Sequence, residues 1–372
     1  MNLTSASLLS DAMEENLTVL ANGSLLDVSL PVVSMPDPVI KLAHDILICV
    51  LLISVMFAMG CHITWNEVWN HLSRPIGVVI GMLSQFCLLP LSAFIIILLL
   101  RLDPLYATGM LVLACSPGGV TSNIFSYFCD GDISLSVTMT TCSTVAALAM
   151  MPLNMWVYGQ WLETGALTIP YSKMSISLAS VTAPVGAGML FRWKFPNAAP
   201  YITKIGSYCG FAIIFICQTM ELIIFPDIFD GIGWQFYVAL VILPFIGLSL
   251  GYGLAFICRQ PPPVRKTIAI ECSIQNIGTA LTVISLSFPV ELQKKILAFP
   301  WLYSLPLITT VTVTCCCYQL YKRTCFKNRF GSCEKKLNGL AVHVPIPVVE
   351  KVMNDKPEEM QSFIQAERLT TV

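Results

Sequence analysis

The sequence predicts an all-α polytopic membrane protein with nine transmembrane helices, and three observations predict it. The first is composition: only 12% of the 372 residues are charged and 55% are hydrophobic, and the mean hydropathy is +0.73. A water-soluble domain carries about a quarter charged residues, so water is not the main solvent of this surface. The second is spacing. Residues 46–66, 75–100, 104–129, 133–162, 174–191, 231–258 and 296–321 hold no Asp, Glu, Lys or Arg, and a membrane-crossing helix needs roughly 20 apolar residues. Two imperfect runs, 202–224 with Lys204 and Glu221 and 265–290 with Glu271, bring the expected spans to nine. The third is that the third and eighth runs are interrupted by polar residues at corresponding positions.

Taken in order, residues 1–38 read as an extracellular tail. The first 40 residues hold five acids (Asp11, Glu14, Glu15, Asp27 and Asp37) and no Lys or Arg. No basic n-region is present, so this is not a cleaved signal peptide. Three glycosylation sequons begin at Asn2, Asn16 and Asn22. Residues 39–321 form the transmembrane domain. The run 133–162 is one helix ending near Tyr158, because a two-helix hairpin needs about 40 residues. Nine crossings put the C-terminus in the cytoplasm, and the basic residues agree. Arg74, Arg192, Lys194, Lys204, Arg259, Arg265, Lys266, Lys322 and Arg323 fall on the inner side, as the positive-inside rule requires. Residues 322–372 read as a disordered cytoplasmic tail ending in Thr370-Thr371-Val372, a match to PDZ-type grooves. The expected location is the plasma membrane.

The fifteen cysteines avoid the N-terminal tail and the outer loops, which speaks against an extracellular disulfide framework. Most read as small packing residues within helices. Cys315, Cys316, Cys317 and Cys325 cluster at the inner end of the last span, where packing and palmitoylation both remain open. A net charge of −1 leaves no basic face for nucleic acid.

The third run contains CSPGGVTSN, residues 115–123. Pro117 removes a backbone donor and Gly118-Gly119 adds freedom, so the helix should unwind there. Unwound backbone at membrane depth is tolerated only where protein or a water-filled cavity surrounds it. The eighth run contains IAIECSIQNIG, residues 268–278, with Glu271, Ser273, Gln275 and Asn276. A carboxylate inside a span marks a functional site by default. Proximity to the interface, or pairing with a base such as Lys266, is the plainer alternative. The third run crosses inward and the eighth outward, standing third in runs 1–4 and third in runs 6–9. That is the pattern of an inverted-topology repeat with two interrupted helices meeting near the midplane.

Ser136, Thr140 and Ser143 or Thr144 recur at helical spacing in the fourth span, and Gln85 is a lone amide in the second. Helix–helix adhesion explains such hydroxyls in isolation; beside a broken helix they also suit a cation. The set is one carboxylate with hydroxyls, amides and freed carbonyls, which favours a hard monovalent cation. His44, His62, His71 and His343 are scattered, with no zinc spacing. No Walker A, G-x-S-x-G or H-E-x-x-H motif is present, so enzyme chemistry and ATP-driven pumping are disfavoured. No organic cofactor is expected, only Na⁺ as coupling ion.

CSPGGVTSN, GDISLSVTMTTCST followed by MMP, QFCLLP and RKTIAIECSIQN together resemble the sodium/bile acid cotransporter family over roughly residues 40–320. The resemblance implies a core domain with two crossing broken helices and a panel domain. It implies one sodium site at Ser122, Asn123, Ser136, Thr140 and Glu271. A second is implied at Gln85, Glu271 and Gln275, with carbonyls near Cys272 and Ile274, and Asn276 beside the substrate cavity. Family members that carry bile acids read Glu-Thr-Gly where this chain reads Glu271-Cys272-Ser273, which leaves the substrate open.

The expected function is therefore sodium-coupled symport of amphipathic organic anions, bile acids or steroid sulfates, by alternating access within the lipid bilayer. The rival readings are a family member that no longer transports, a polytopic receptor, which would show seven spans, and a channel, which needs a ring or filter that the sequence does not show.

Overall fold

The computed structural model describes residues 38–64, 69, 71, 73, 75–162, 167–224 and 231–339. The three sequons and the terminal Thr370-Thr371-Val372 lie outside them. Residues 42–372 form one unit and residues 1–41 another. The described residues are mostly helical, with no strand among them.

Eleven helices have both ends among the described residues, in order: α1 Pro38–His62, α2 Ile76–Leu100, α3 Pro104–Ala114, α4 Ser122–Phe128, α5 Ile133–Gly159, α6 Tyr171–Lys194, α7 Ala199–Ile224, α8 Trp234–Ile257, α9 Pro262–Ser273, α10 Ile277–Ser287 and α11 Val290–Gly339. Six helical stretches among the described residues are long and apolar enough to cross a membrane: Leu42–His62, Ile76–Leu100, Ile133–Gly159, Tyr171–Lys194, Trp234–Ile257 and Val290–Thr324. The third and eighth runs are each split into two short helices, α3 with α4 and α9 with α10.

Burial is inverted relative to a soluble protein. Leu99, Ile257 and Leu305 are exposed on the outside, while Ser122, Ser136, Thr140 and Glu271 are fully buried. Large exposed aromatics stand at helix ends: Trp161 after α5 and Trp234 opening α8, Trp193 closing α6 and Tyr201 opening α7. Trp and Tyr favour the headgroup level, where one end of the ring is apolar and the other wet.

The main core packs α3 against α11 and α10 through Met110, Leu111, Phe299 and Tyr303, with α8 laid along α9. Between α1 and α6 the backbones nearly touch. A Cβ on Gly60 would stand 2.2 Å from the Val185 carbonyl, and one on Gly188 would stand 2.2 Å from that of Phe57. Such small-residue contact is the usual way membrane helices approach closely. An apolar cavity of about 800 Å³ lies between α1, α6 and α7, lined by Ile53, Phe57, Pro184, Ala187 and Ile205 among others. Helix α6 continues from this cavity to pack on α5 and α10.

Helix α11 departs from the sequence expectation. The tail was expected to be disordered from residue 322, but the helix runs on to Gly339. Charge ends a membrane span without ending a helix, and six of residues 322–339 are Lys or Arg, which are good helix formers.

Candidate functional site

Two unwound stretches meet at the centre of the site. Helix α3 starts on an Asp103 cap that accepts from the Leu105 amide, and stops at Ala114 because Pro117 cannot donate to the next turn. Ser116 turns its hydroxyl back onto the Leu113 carbonyl at 2.7 Å. Helix α9 stops at Ser273, and α10 restarts at Ile277 with Asn276 as its cap, Oδ1 accepting from the Thr279 amide at 3.0 Å.

The freed backbone groups satisfy each other. The Gly119 amide donates to the Ile274 carbonyl at 2.8 Å, and the Asn276 amide donates to the Pro117 carbonyl at 2.9 Å. These two bonds form an antiparallel bridge between Gly118 and Gln275. The Gly118 amide donates to Ser143 Oγ at 3.2 Å. Buried backbone groups are expensive to leave unpaired, and here the two breaks are each other's remedy.

Glu271 lies in the last turn of α9, fully buried. Its carboxylate accepts from Ser122 at 2.5 Å, from Ser136 at 3.1 Å and from Thr140. Ser122 is the first residue of α4, and Ser136 and Thr140 stand one helical turn apart on α5. Ser126 extends the hydroxyl cluster toward Ser136 at 3.4 Å. Among the described residues no basic side chain pairs with Glu271. Lys266, the expected rival partner, donates instead to the Cys129 carbonyl and the Tyr318 hydroxyl, so pairing with Lys266 does not explain the carboxylate. A buried carboxylate without a counter-charge is costly, and this one is surrounded by neutral oxygens.

A second group joins it across the bridge. Gln85 donates to the Ser116 carbonyl at 2.9 Å and to Gln275 Oε1 at 2.5 Å, and Gln275 donates to the Cys272 carbonyl at 2.8 Å. Gln85 sits in a π-helical turn, Ser84–Leu88, inside α2. Such turns re-aim side chains and recur at functional sites. Asn154 of α5 donates to the Phe86 carbonyl within that turn at 2.9 Å. Three side-chain oxygens in this region are buried without a hydrogen-bond partner: Gln85 Oε1, Asn123 Oδ1 and Ser273 Oγ. Each such group costs about 1–3 kcal/mol unless something satisfies it.

Residues 49–226 match the Sodium Bile acid symporter family. The chain is 36% identical over 302 residues to the ileal sodium/bile acid cotransporter of Homo sapiens, covering 81% of this chain and 86% of that one. It is 35% identical over 289 residues to the sodium-dependent organic anion transporter of Rattus norvegicus, covering 76% of each. A sodium-dependent organic anion transporter of Bos taurus is 33% identical over 323 residues, covering 86% of this chain and 82% of that one. The chain belongs to the sodium bile acid symporter family.

Within this member of the family, Ser122, Ser136, Thr140 and Glu271 are brought into one hydrogen-bonded cluster. Gln85 and Gln275 form a second group, and Asn123 is half-buried beside the first. The Cys272 and Ile274 carbonyls accept Gln275 Nε2 and the Gly119 amide, and a carbonyl has a second lone pair to offer. The Asn276 side chain is occupied as a helix cap. Sequence reasoning missed Asn154, although it is a lone amide in an apolar run just as Gln85 is. It also missed the Tyr303 hydroxyl, which donates to the Ser273 carbonyl at 3.2 Å; one tyrosine in an apolar span carries no signal of its own.

Proposed function

We propose that this chain couples the entry of Na⁺ to the uptake of an amphipathic organic anion, a bile acid or a sulfated steroid, by alternating access. The observation that carries the reading is the buried Glu271 carboxylate. It lies where the two unwound stretches pair, with three hydroxyls on it and unpartnered amide oxygens nearby. Hard oxygen ligands around one negative charge suit a monovalent cation that must leave again. The names of the relatives, sodium/bile acid cotransporter and sodium-dependent organic anion transporter, support the substrate class.

In this reading α3 with α4, and α9 with α10, each make one crossing, and α7 makes another, giving nine. The N-terminus is extracellular and glycosylated, and the C-terminus is cytoplasmic at the plasma membrane, with its last residues available to a PDZ-type groove. Ser122, Asn123, Ser136, Thr140 and Glu271 hold one Na⁺. Gln85, Glu271 and Gln275 hold a second, and Asn276 borders the anion. Sodium binds first because an anion would be repelled by the empty carboxylate. The half-helix N-termini at the crossing then offer positive dipole ends to the anion. The apolar cavity beside α1, α6 and α7, about 800 Å³ in volume, falls in the range of small-molecule sites, roughly 300–1,000 Å³.

The test is uptake of taurocholate and of a sulfated steroid in cells, with Na⁺ present or replaced by choline. The expected result is accumulation with Na⁺ only. Two Na⁺ per monoanion carry one net positive charge, so the membrane potential assists by about 2.3 kcal/mol per 100 mV. An inward current that grows on hyperpolarisation is expected with uptake. Its absence would leave at most one Na⁺ per anion.

Ser122→Ala and Asn123→Ala each remove a neutral oxygen and leave the carboxylate in place. Each is expected to raise the Na⁺ concentration for half-maximal uptake about tenfold or more, since a polar contact to a charged group contributes about 1.5–3 kcal/mol and about 1.4 kcal/mol is a decade. An altered substrate affinity with unchanged Na⁺ dependence would instead assign them to the anion.

A further inference from the structure

Away from the crossing, the far end of α4 is fastened by a separate set of side chains. Cys129, just past α4, and Cys315, on α11, are both buried, and their sulfurs stand 3.0 Å apart. No other cysteine pair among the described residues shares a hydrogen bond. The surroundings fix both partners. Gln319 donates to the Phe128 carbonyl and Lys266 to the Cys129 carbonyl, capping carbonyls that the end of α4 would leave open. Tyr318 donates to Asp130 at 2.9 Å, and Lys322 pairs with Asp130 at 2.8 Å. Asp130 holds a left-handed backbone, φ 51°, a conformation uncommon outside glycine that Asp tolerates. A cavity of about 400 Å³ lined by Cys129, Lys266, Tyr252, Thr314 and Tyr318 adjoins this end of α4, and the Lys266 ammonium donates to the Cys129 backbone carbonyl.

We propose that Cys129 and Cys315 are an oxidation site that closes to a disulfide under a hydroperoxide and slows transport by pinning α4 to α11. The Cys129 thiolate attacks the outer peroxide oxygen, the O–O bond breaks, and an alcohol leaves with a proton. The resulting sulfenic acid is attacked by the Cys315 thiol, the S–S bond forms and water leaves. Two thiols lose two electrons and two protons, and the hydroperoxide is reduced to alcohol and water. Bond formation needs the sulfurs to close by about 1 Å, to the disulfide distance near 2.05 Å. Helix α4 has seven residues and opens on Ser122 and Asn123. Pinning its far end restricts how those oxygens move relative to Glu271 as the cation enters and leaves.

The site itself is independent of the symporter reading; its effect on uptake rests on that reading. The experiment treats the full-length protein in proteoliposomes with tert-butyl hydroperoxide, blocks free thiols by alkylation, and maps linked peptides by mass spectrometry. The expected result is a Cys129–Cys315 linked peptide, a higher unfolding temperature for the oxidised protein, and at least a threefold fall in initial Na⁺-dependent uptake that dithiothreitol reverses. Cys129→Ser and Cys315→Ser should each keep uptake without peroxide and lose the response to it. Absence of the linked peptide overturns the site. A linked peptide with unchanged uptake, or inhibition persisting in both variants, overturns the control of transport. If untreated protein shows no Na⁺ dependence, the symporter reading fails, while the linked peptide and the unfolding shift still decide the site.

Discussion

Glu271→Gln is expected to leave the protein at the cell surface and to remove Na⁺-dependent uptake. The two side chains are nearly the same size, and the site is fully buried, so packing changes little. What changes is charge and hydrogen-bond sense. The carboxylate accepts from Ser122, Ser136 and Thr140 at once. The amide offers one acceptor oxygen and a nitrogen that can only donate, so at least one hydroxyl must turn away. More important, a cation entering the variant would be buried without its counter-charge. Removing one partner of a buried charge pair costs about 3–5 kcal/mol, roughly two to three and a half decades in affinity at about 1.4 kcal/mol per decade. Uptake measured against Na⁺ concentration, with surface biotinylation as control, checks this. Near-normal uptake with unchanged Na⁺ dependence would take the ion site away from Glu271.

Gly118→Ala should be almost as damaging to transport, for a reason of space. A Cβ at this position would lie 2.4 Å from Glu271 Oε1. The obstructed atom is the tip of a side chain, so the protein can fold by moving the carboxylate rather than the backbone. That movement separates the carboxylate from the hydroxyls that hold it. The expected result is normal surface expression with the half-maximal Na⁺ concentration raised tenfold or more. Gly119→Ala supplies the contrast. Its Cβ would meet the Gln275 backbone carbonyl at 2.9 Å, and backbone in the bridge has nowhere to go. This variant should lose surface expression instead. If Gly118→Ala shows wild-type Na⁺ dependence, the carboxylate is not held where the ion binds.

The features legible in the sequence were those with local causes. The charge-free run 133–162 was expected to end as a helix near Tyr158, and α5 ends at Gly159. Pro117 with two glycines announced one break, and the clustered polarity of Glu271, Gln275 and Asn276 drew attention to the other. What could not be read was how distant segments satisfy one another. The π-turn around Gln85 contains neither Pro nor Gly, and its Phe86 carbonyl is met by Asn154, 68 residues away. The contact of Ser122 with Glu271 spans 149 residues; those residues were grouped by resemblance to a family rather than by any spacing along the chain. The stretch of α11 beyond residue 322 was not read because composition says whether a segment can build a core, and a helix that continues a membrane span needs none of its own.

The bridge between Gly118 and Gln275 has a consequence for how the two halves of the molecule can vary. Two backbone bonds of opposite sense fix the segments in register, and register in an extended pair is quantised in whole residues. A slip of one residue would send each side chain to the opposite side and carry Glu271, Gln275 and the residues following Gly119 out of alignment together. The distance between the loop that leads into Ser122 and the turn that carries Glu271 is therefore not a continuously adjustable quantity. An insertion in either stretch cannot be absorbed by the stretch itself and must be matched in the other. The crossing behaves as a keyed joint, in which the two chain segments tolerate change as a pair and not one at a time.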